Sequence, residues 1–65
     1  MLIRLNGKQS ETNAQNVAEL LQEIQAPQIG VAVALNGQVV RRTEQAATVL
    51  REGDELEIIR AVQGG

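Results

Sequence analysis

The sequence predicts an α+β fold in which a mixed sheet of four to five strands carries a single helix across one face. Three observations point there. Asn6-Gly7 and Asn36-Gly37 each follow an apolar-rich run, and this dipeptide marks a two-residue type I′ hairpin, whose central residues both need φ > 0. Val17, Leu20, Leu21 and Ile24 recur at i, i+3, i+4 and i+7, the apolar stripe of one amphipathic helix. Glu55-Leu56-Glu57-Ile58 alternates at a period of two and runs on through Ile59-Arg60, as a half-buried closing strand does.

Taken in order, Met1-Leu2-Ile3-Arg4-Leu5 places Met1, Ile3 and Leu5 on one face and Arg4 on the other, a first strand. Lys8 to Glu11 or Thr12 returns after the turn and is polar, as edges are kept to discourage sheet-to-sheet pairing. Asn16 is the expected N-cap, with Glu19 three residues on, which resembles a capping box. The helix is expected over 17–25, stopped by Pro27, which disfavours helical geometry in the residue before it. Ile29 to Leu35 alternates large with small, so Val31, Val33 and Leu35 should meet the helix while Ala32 and Ala34 face away. Gln38-Val39-Val40 is the return strand of the second hairpin. Between Arg41 and Glu52 no period survives; Thr43 is expected to cap a short helical turn, and Val49 with Leu50 to fill the core. Gly53-Asp54 turns the chain into the last strand, where Leu56 and Ile58 point inward and Ile59 outward. A right-handed crossover lets that strand lie parallel to the first, in the sheet centre.

Sixty-five residues make one domain, of a size that buries only about 60% of its unfolded surface. The chain has neither Cys nor His, so no disulfide or zinc site can supplement the core. That core must be aliphatic, since there is no Phe, Tyr or Trp. A net charge of −2 without aromatic side chains argues against nucleic-acid binding, which needs cations for phosphates and rings for stacking. No apolar run approaches the roughly 18 residues of a membrane span, and Met1-Leu2-Ile3-Arg4 is no signal peptide. A soluble, cytoplasmic, monomeric domain is the expectation.

Enzymatic chemistry finds little to work with. Without Cys or His, and with Lys8 as the sole lysine, no nucleophile–base pair or metal cluster presents itself. Glu55 and Glu57 share a strand face but read as an ordinary solvated surface, and Arg41-Arg42 reads the same way. Neither Asn36-Gly37 nor Gly53-Asp54 opens a helix, as a phosphate-binding loop would.

What remains is the stretch after the closing strand, Ala61-Val62-Gln63-Gly64-Gly65. The expected division is a globular domain over 1–60 and a flexible tail over 61–65. Glycine lacks a Cβ, so Gly64-Gly65 can thread a channel too narrow for other residues. Glycine also loses the most entropy on ordering, which makes such an end a poor choice for stability alone. Outward Ile59 with Ala32 and Ala34, extended by Val62, forms a candidate apolar contact beside the root of the tail.

Several pieces together carry a family resemblance. They are Asn6-Gly7, Val17-x-x-Leu20-Leu21, Val31-Ala32-Val33-Ala34-Leu35-Asn36, Arg42, Gly53-Asp54 and, most specifically, Ala61-Val62-Gln63-Gly64-Gly65. With this strand order, the whole chain resembles the ThiS family, the ubiquitin-like β-grasp sulfur carriers of thiamin biosynthesis. A proline is usual in that family where Arg41 stands, and a tryptophan frequent where Gln45 stands. The resemblance implies a carrier rather than an enzyme, holding no cofactor of its own. An adenylyltransferase would use ATP to adenylate the Gly65 carboxylate, with Val62, Gln63 and Gly64 in its channel. Sulfur from a donor such as a cysteine desulfurase would then give a thiocarboxylate for thiazole synthase. Lacking Cys, the chain cannot hold sulfur as its own persulfide. The alternatives are a carrier for molybdopterin or tRNA thiolation, a ubiquitin-like protein modifier joined to lysine, and an interaction module with an inert tail.

Overall fold

The computed structural model describes residues 1–27 and 29–60. Its elements are β1 (Leu2–Leu5), β2 (Lys8–Glu11), α1 (Val17–Glu23), β3 (Val31–Leu35), β4 (Gln38–Val39), a 3₁₀ helix (Arg42–Ala47) and β5 (Glu55–Arg60). The five strands form one mixed sheet in the order β2-β1-β5-β3-β4. β1 and β5 pair in parallel, Arg4 opposite Glu55 and Leu5 opposite Leu56, and the other three pairings are antiparallel. The last strand therefore occupies the sheet centre beside the first, and polar β2 is an edge, both as expected. The segment 61–65, expected as a tail, lies outside the described residues.

Both Asn-Gly pairs adopt the expected turn. Asn6 and Gly7 have φ of 51° and 81°, and Asn36 and Gly37 have φ of 51° and 85°. These are the left-handed values of a type I′ turn, whose twist matches that of the flanking strands. The hairpins set the register, and the register puts Ile3, Val33 and Leu56 on the face beneath the helix.

Ile3, Val17, Leu20 and Leu56 are almost completely buried and form the core with Val33, Leu50 and Ala14. Met1, Leu5, Leu21, Val31, Leu35 and Ile58 pack around them. No buried side-chain polar atom lacks a partner among the described residues. Buried Thr12 is the polar member of the interior. Its hydroxyl donates to Glu23 Oε1 (2.6 Å) and accepts from the Ala14 amide (3.0 Å), tying the β2–α1 loop to the far end of the helix.

Asn16 caps α1 as expected, Oδ1 accepting from the Glu19 amide at 2.8 Å. Glu19 reaches back to the amide of Gln15 (2.9 Å) rather than to that of Asn16, a capping box displaced by one residue. The helix ends at Glu23, two residues short of the expected 25, and Pro27 is not what stops it. Gln25 takes a left-handed conformation (φ 56°), its amide donating to Gln22 O and that of Ala26 to Leu21 O. This is a Schellman motif, normally closed by glycine, so its sequence signal was absent. The early turn leaves Ile24, the last residue of the apolar stripe, 38% exposed.

The second half departs from expectation in detail. β3 begins at Val31, leaving Ile29 and Gly30 outside the sheet, and β4 ends at Val39 although Val40 is buried. Arg41, not Thr43, precedes the helical turn, and Glu44 Oε1 accepts from its amide (3.4 Å). The φ of Arg41 is −69°, within the range that proline imposes. Val49 does not plug the core: it forms an isolated antiparallel bridge with Asn16, with Val17 N donating to Thr48 O and Leu50 N to Gln15 O. In an extended segment side chains alternate, so burying Leu50 turns Val49 out to 62% exposure.

Leu20→Ala should cost about 2–5 kcal/mol, the range for truncating a buried leucine. Half-buried Leu21→Ala should fall at or below the lower end, and urea denaturation of the pair checks that order. Gln25→Gly should raise stability by about 0.5–1 kcal/mol. A left-handed L-residue costs roughly 1–2 kcal/mol, of which glycine returns part through its looser unfolded state. A melting temperature that falls instead would show that the Gln25 side chain supplies a contact outweighing its strain.

Candidate functional site

β5 is the element on which the site depends. It is held on both edges, antiparallel to β3 from Val31–Arg60 to Leu35–Leu56 and parallel to β1. Two turn asparagines add side-chain ties along it. Asn36 Oδ1 accepts from the Glu55 amide (2.9 Å) while its Nδ2 donates to Asp54 Oδ1 (3.0 Å). Asn6 Oδ1 accepts from the Ile58 amide (2.8 Å), where β5 has run past the end of β1. The strand is thus fixed from its first residue almost to Arg60, where the chain leaves the described region.

Val62, Gln63, Gly64 and Gly65, the residues expected to carry the chemistry and line a channel, lie outside the described residues. Their point of departure does not: Arg60 is paired with Val31 at the rim of the sheet.

The three residues expected to form a contact surface come together. Ala32 is directly opposite Ile59, and Ala34 is two residues along the same strand. Ile59 is 56% exposed, too open for a core residue. The structure adds Val39, opposite Ala34 on β4 and 73% exposed. Its place was implicit in the Asn36-Gly37 turn, which forces 35 opposite 38 and 34 opposite 39. Ile29, 83% exposed, stands two residues before Val31 and so at the tail-root end. Read as a strand residue, it carried no signal of exposure. The sheet face opposite the helix is therefore apolar across Val39, Ala34, Ala32 and Ile59, and turns polar at Glu57, opposite Ala34, and at Glu55 and Arg4. Arg4 Nε lies 3.8 Å from Glu55 Oε2, so Glu55 is half of a surface ion pair rather than of a catalytic carboxylate pair.

On the helix side, an open groove of about 560 Å³ lies between α1 and the 3₁₀ helix, lined by Leu21, Gln22, Val31, Arg42 and Gln45 among others. Gln45 contributes one wall. Among the described residues no group of three or more His, Cys, Asp or Glu could hold a metal ion, and no helix is long and apolar enough to cross a membrane.

Comparison with known proteins agrees with this architecture. The crystal structure of the thiamine biosynthesis protein ThiS from Geobacter metallireducens superposes with a TM-score of 0.86 at 36% identity, covering 100% of both chains. The solution structure from the same organism gives 0.80 at 36% identity, over 100% of this chain and 88% of the other. Both have the ubiquitin-like β-grasp fold. The sulfur carrier protein ThiS of Escherichia coli is 35% identical over 51 residues, 78% of this chain and 77% of its own. That of Thermus thermophilus is 33% identical over 64 residues, 98% of this chain and all of its own. The model of the ThiS family matches residues 3–65, from within β1 through the terminal glycine pair, and the chain belongs to that family.

Proposed function

We propose that this protein is a sulfur carrier of thiamin biosynthesis that works through the carboxylate of Gly65. The observation that carries the reading is the juxtaposition of a centrally held β5 with a five-residue extension ending in Gly64-Gly65. The sulfur-carrier names of its relatives support it.

A carboxylate is a poor electrophile. Attack on the α-phosphorus of ATP converts it to an acyl-adenylate and releases pyrophosphate. Hydrosulfide-level sulfur then adds to the carbonyl carbon, the C–O bond to phosphate breaks and AMP departs with loss of a proton, leaving a thiocarboxylate that thiazole synthase consumes. Acyl-adenylates hydrolyse readily, so the reaction calls for an enclosed site that excludes water. A slim Gly-Gly end reaches such a site while the globule stays outside, and all catalytic groups belong to the adenylating partner. The carrier's part is placement. Ordering each tail residue costs about 1–2 kcal/mol of backbone entropy, to be offset by contacts on the partner. The face formed by Ala32, Ala34, Val39 and Ile59 is continuous with the tail root and is the proposed dock for the adenylating enzyme.

Ile59→Asp should keep the fold, at up to about 1 kcal/mol for lost strand propensity. Affinity for the adenylating enzyme should fall about tenfold or more, since burying an unpaired polar group costs roughly 1–3 kcal/mol. Unchanged calorimetric affinity in the folded variant would remove Ile59 from the interface.

The sharper test is in the tail. Deleting Gly65 withdraws the carboxylate by about 3.3–3.6 Å, and a displacement near 1 Å can cost about a hundredfold in rate where reacting groups must align. Gly64→Val places a β-branched side chain where the channel should be tight. Both variants should melt like the parent and lose ATP–pyrophosphate exchange with the adenylating enzyme. Exchange at the parental rate in either would refute the carrier mechanism.

A further inference from the structure

Two turns of this chain are near duplicates. Leu5-Asn6-Gly7-Lys8 and Leu35-Asn36-Gly37-Gln38 differ at their last residue alone. Both asparagines are exposed and share one left-handed backbone geometry. In each, the backbone amide donates to a β5 carbonyl, Asn6 N to Leu56 O (2.9 Å) and Asn36 N to Glu55 O (2.7 Å). In each, the side-chain Oδ1 accepts from a β5 amide. The difference lies at Nδ2. Asn36 Nδ2 donates to Asp54 Oδ1 (3.0 Å), and Asp54 is itself held, its Oδ2 accepting from the Arg51 amide (2.8 Å). Asn6 Nδ2 has no partner among the described residues. That nitrogen is the leaving group when an Asn-Gly pair deamidates. We propose that Asn6 is a spontaneous modification site of the folded protein, losing its side-chain amide while Asp54 protects the matching Asn36.

In the reaction the Gly7 backbone nitrogen, its proton taken by hydroxide, attacks Asn6 Cγ. The N–Cγ bond forms and the Cγ–Nδ2 bond breaks, Nδ2 leaving as ammonia with a proton from water. Glycine suits the attacking position because it has no Cβ to hinder the approach. Water then opens the resulting succinimide. Cleavage of the bond to Cγ returns an aspartyl residue; cleavage at the backbone carbonyl gives an isoaspartyl residue, with the chain now running through Cγ. The net change is one water gained and one ammonia lost, with no change of oxidation state.

Two effects separate the sites. The Asn36 amide is held at both ends, so Cγ cannot swing toward Gly37 N without breaking the bond to Asp54. A charge-assisted bond of this kind is about twice as strong as a neutral one. Donation to a carboxylate also enriches Nδ2 in electrons and makes it a poorer leaving group. Charge acts in the same direction, because the attacking nitrogen is anionic. Beside Asn6 stand Lys8 and Arg4, whose Nη2 donates to Gly7 O (3.0 Å), and these cations favour the anion. Beside Asn36 the Asp54 carboxylate opposes it.

The isoaspartyl product reaches β5. Its backbone is longer by one carbon, which undoes the two-residue turn and with it the Asn6 acceptor for the Ile58 amide. The aspartyl product keeps a side-chain oxygen for that amide. Ile58 directly precedes Ile59, so the lesion at a hairpin tip loosens the strand beside the exposed apolar face.

The test uses the full chain, incubated at mildly alkaline pH below its melting transition. Peptide mapping that separates aspartyl from isoaspartyl isomers should find Asn6 converted about tenfold faster than Asn36, the ratio that one charge-assisted hydrogen bond sets. In guanidinium chloride the ratio should collapse toward unity, since the local sequences nearly match. Equal rates in the native chain would overturn the proposal, and so would a preference that survives denaturation undiminished. Asp54→Ala, its folding checked by a melt, should speed conversion of Asn36 severalfold; an unchanged rate in the folded variant would show that the bond does not protect. The native-to-denatured contrast in the parent decides without that variant. Hydrogen exchange at the Ile58 amide should rise about tenfold in the isolated isoaspartyl form, as a lost hydrogen bond requires, and stay parental in Asn6→Asp. Parental exchange in the isoaspartyl form would overturn the link to β5.

Discussion

The parallel pairing of β1 with β5 is the constraint on which the rest of this structure depends. It joins residues some fifty positions apart, a closure whose entropy must be met before any contact rewards it. The hydrogen bonds that meet it are concentrated: Arg4 N to Asp54 O (2.8 Å), Asn6 N to Leu56 O (2.9 Å) and Gly53 N to Leu2 O (2.8 Å). Glu52 adds a side-chain acceptor for Leu2 N at 2.8 Å. Beneath them Ile3, Leu56 and Leu20 belong to one core cluster, all close to fully buried. Without this pairing the β1–β2 hairpin would be cut off from the β4-β3-β5 sheet, and neither an isolated hairpin nor a short helix is stable alone in water.

The turn asparagines extend the same logic. In each hairpin the Asn accepts a left-handed backbone, which its short polar side chain tolerates better than most. In each, the side-chain oxygen then leaves the hairpin and accepts from a β5 amide. A residue type chosen for turn geometry thereby stitches two local motifs to the one long-range strand. Glycine at either position would make the turn and lose the stitch.

A domain of 65 residues with no aromatic side chain and no disulfide has a small margin of stability. β5 is bonded on both edges, while the peripheral segments, two-residue β4 and the 3₁₀ helix, are thinly held. On the face opposite the helix, Ala32, Ala34, Val39 and Ile59 form a patch of small and aliphatic side chains. The proposed chemistry needs nothing further from the globule than a rigid base for a reactive end.

Much of this was legible in the residues. Period-two and period-3.6 patterns, two Asn-Gly turns and Asn16 before an apolar stripe are local signals, and local sterics and hydrogen bonds enforced them. The sequence alone thus determined the element order, the hairpin registers, the outward Ile59 and the glycine pair beyond β5. Tertiary structure decided what local rules leave free. Gln25 took a left-handed turn that nothing in its chemistry announces, because the chain had to reverse there to bring Val31 under the helix, and Ile24 lost its burial as a result. Val49 and Leu50 exchanged equivalent propensities for opposite fates, since a bridge to Asn16 admits only one of two neighbours to the core. Val39 and Ile29 gained their exposure from where the sheet stopped, a matter of which strands had neighbours left to pair with, and no single segment encodes that.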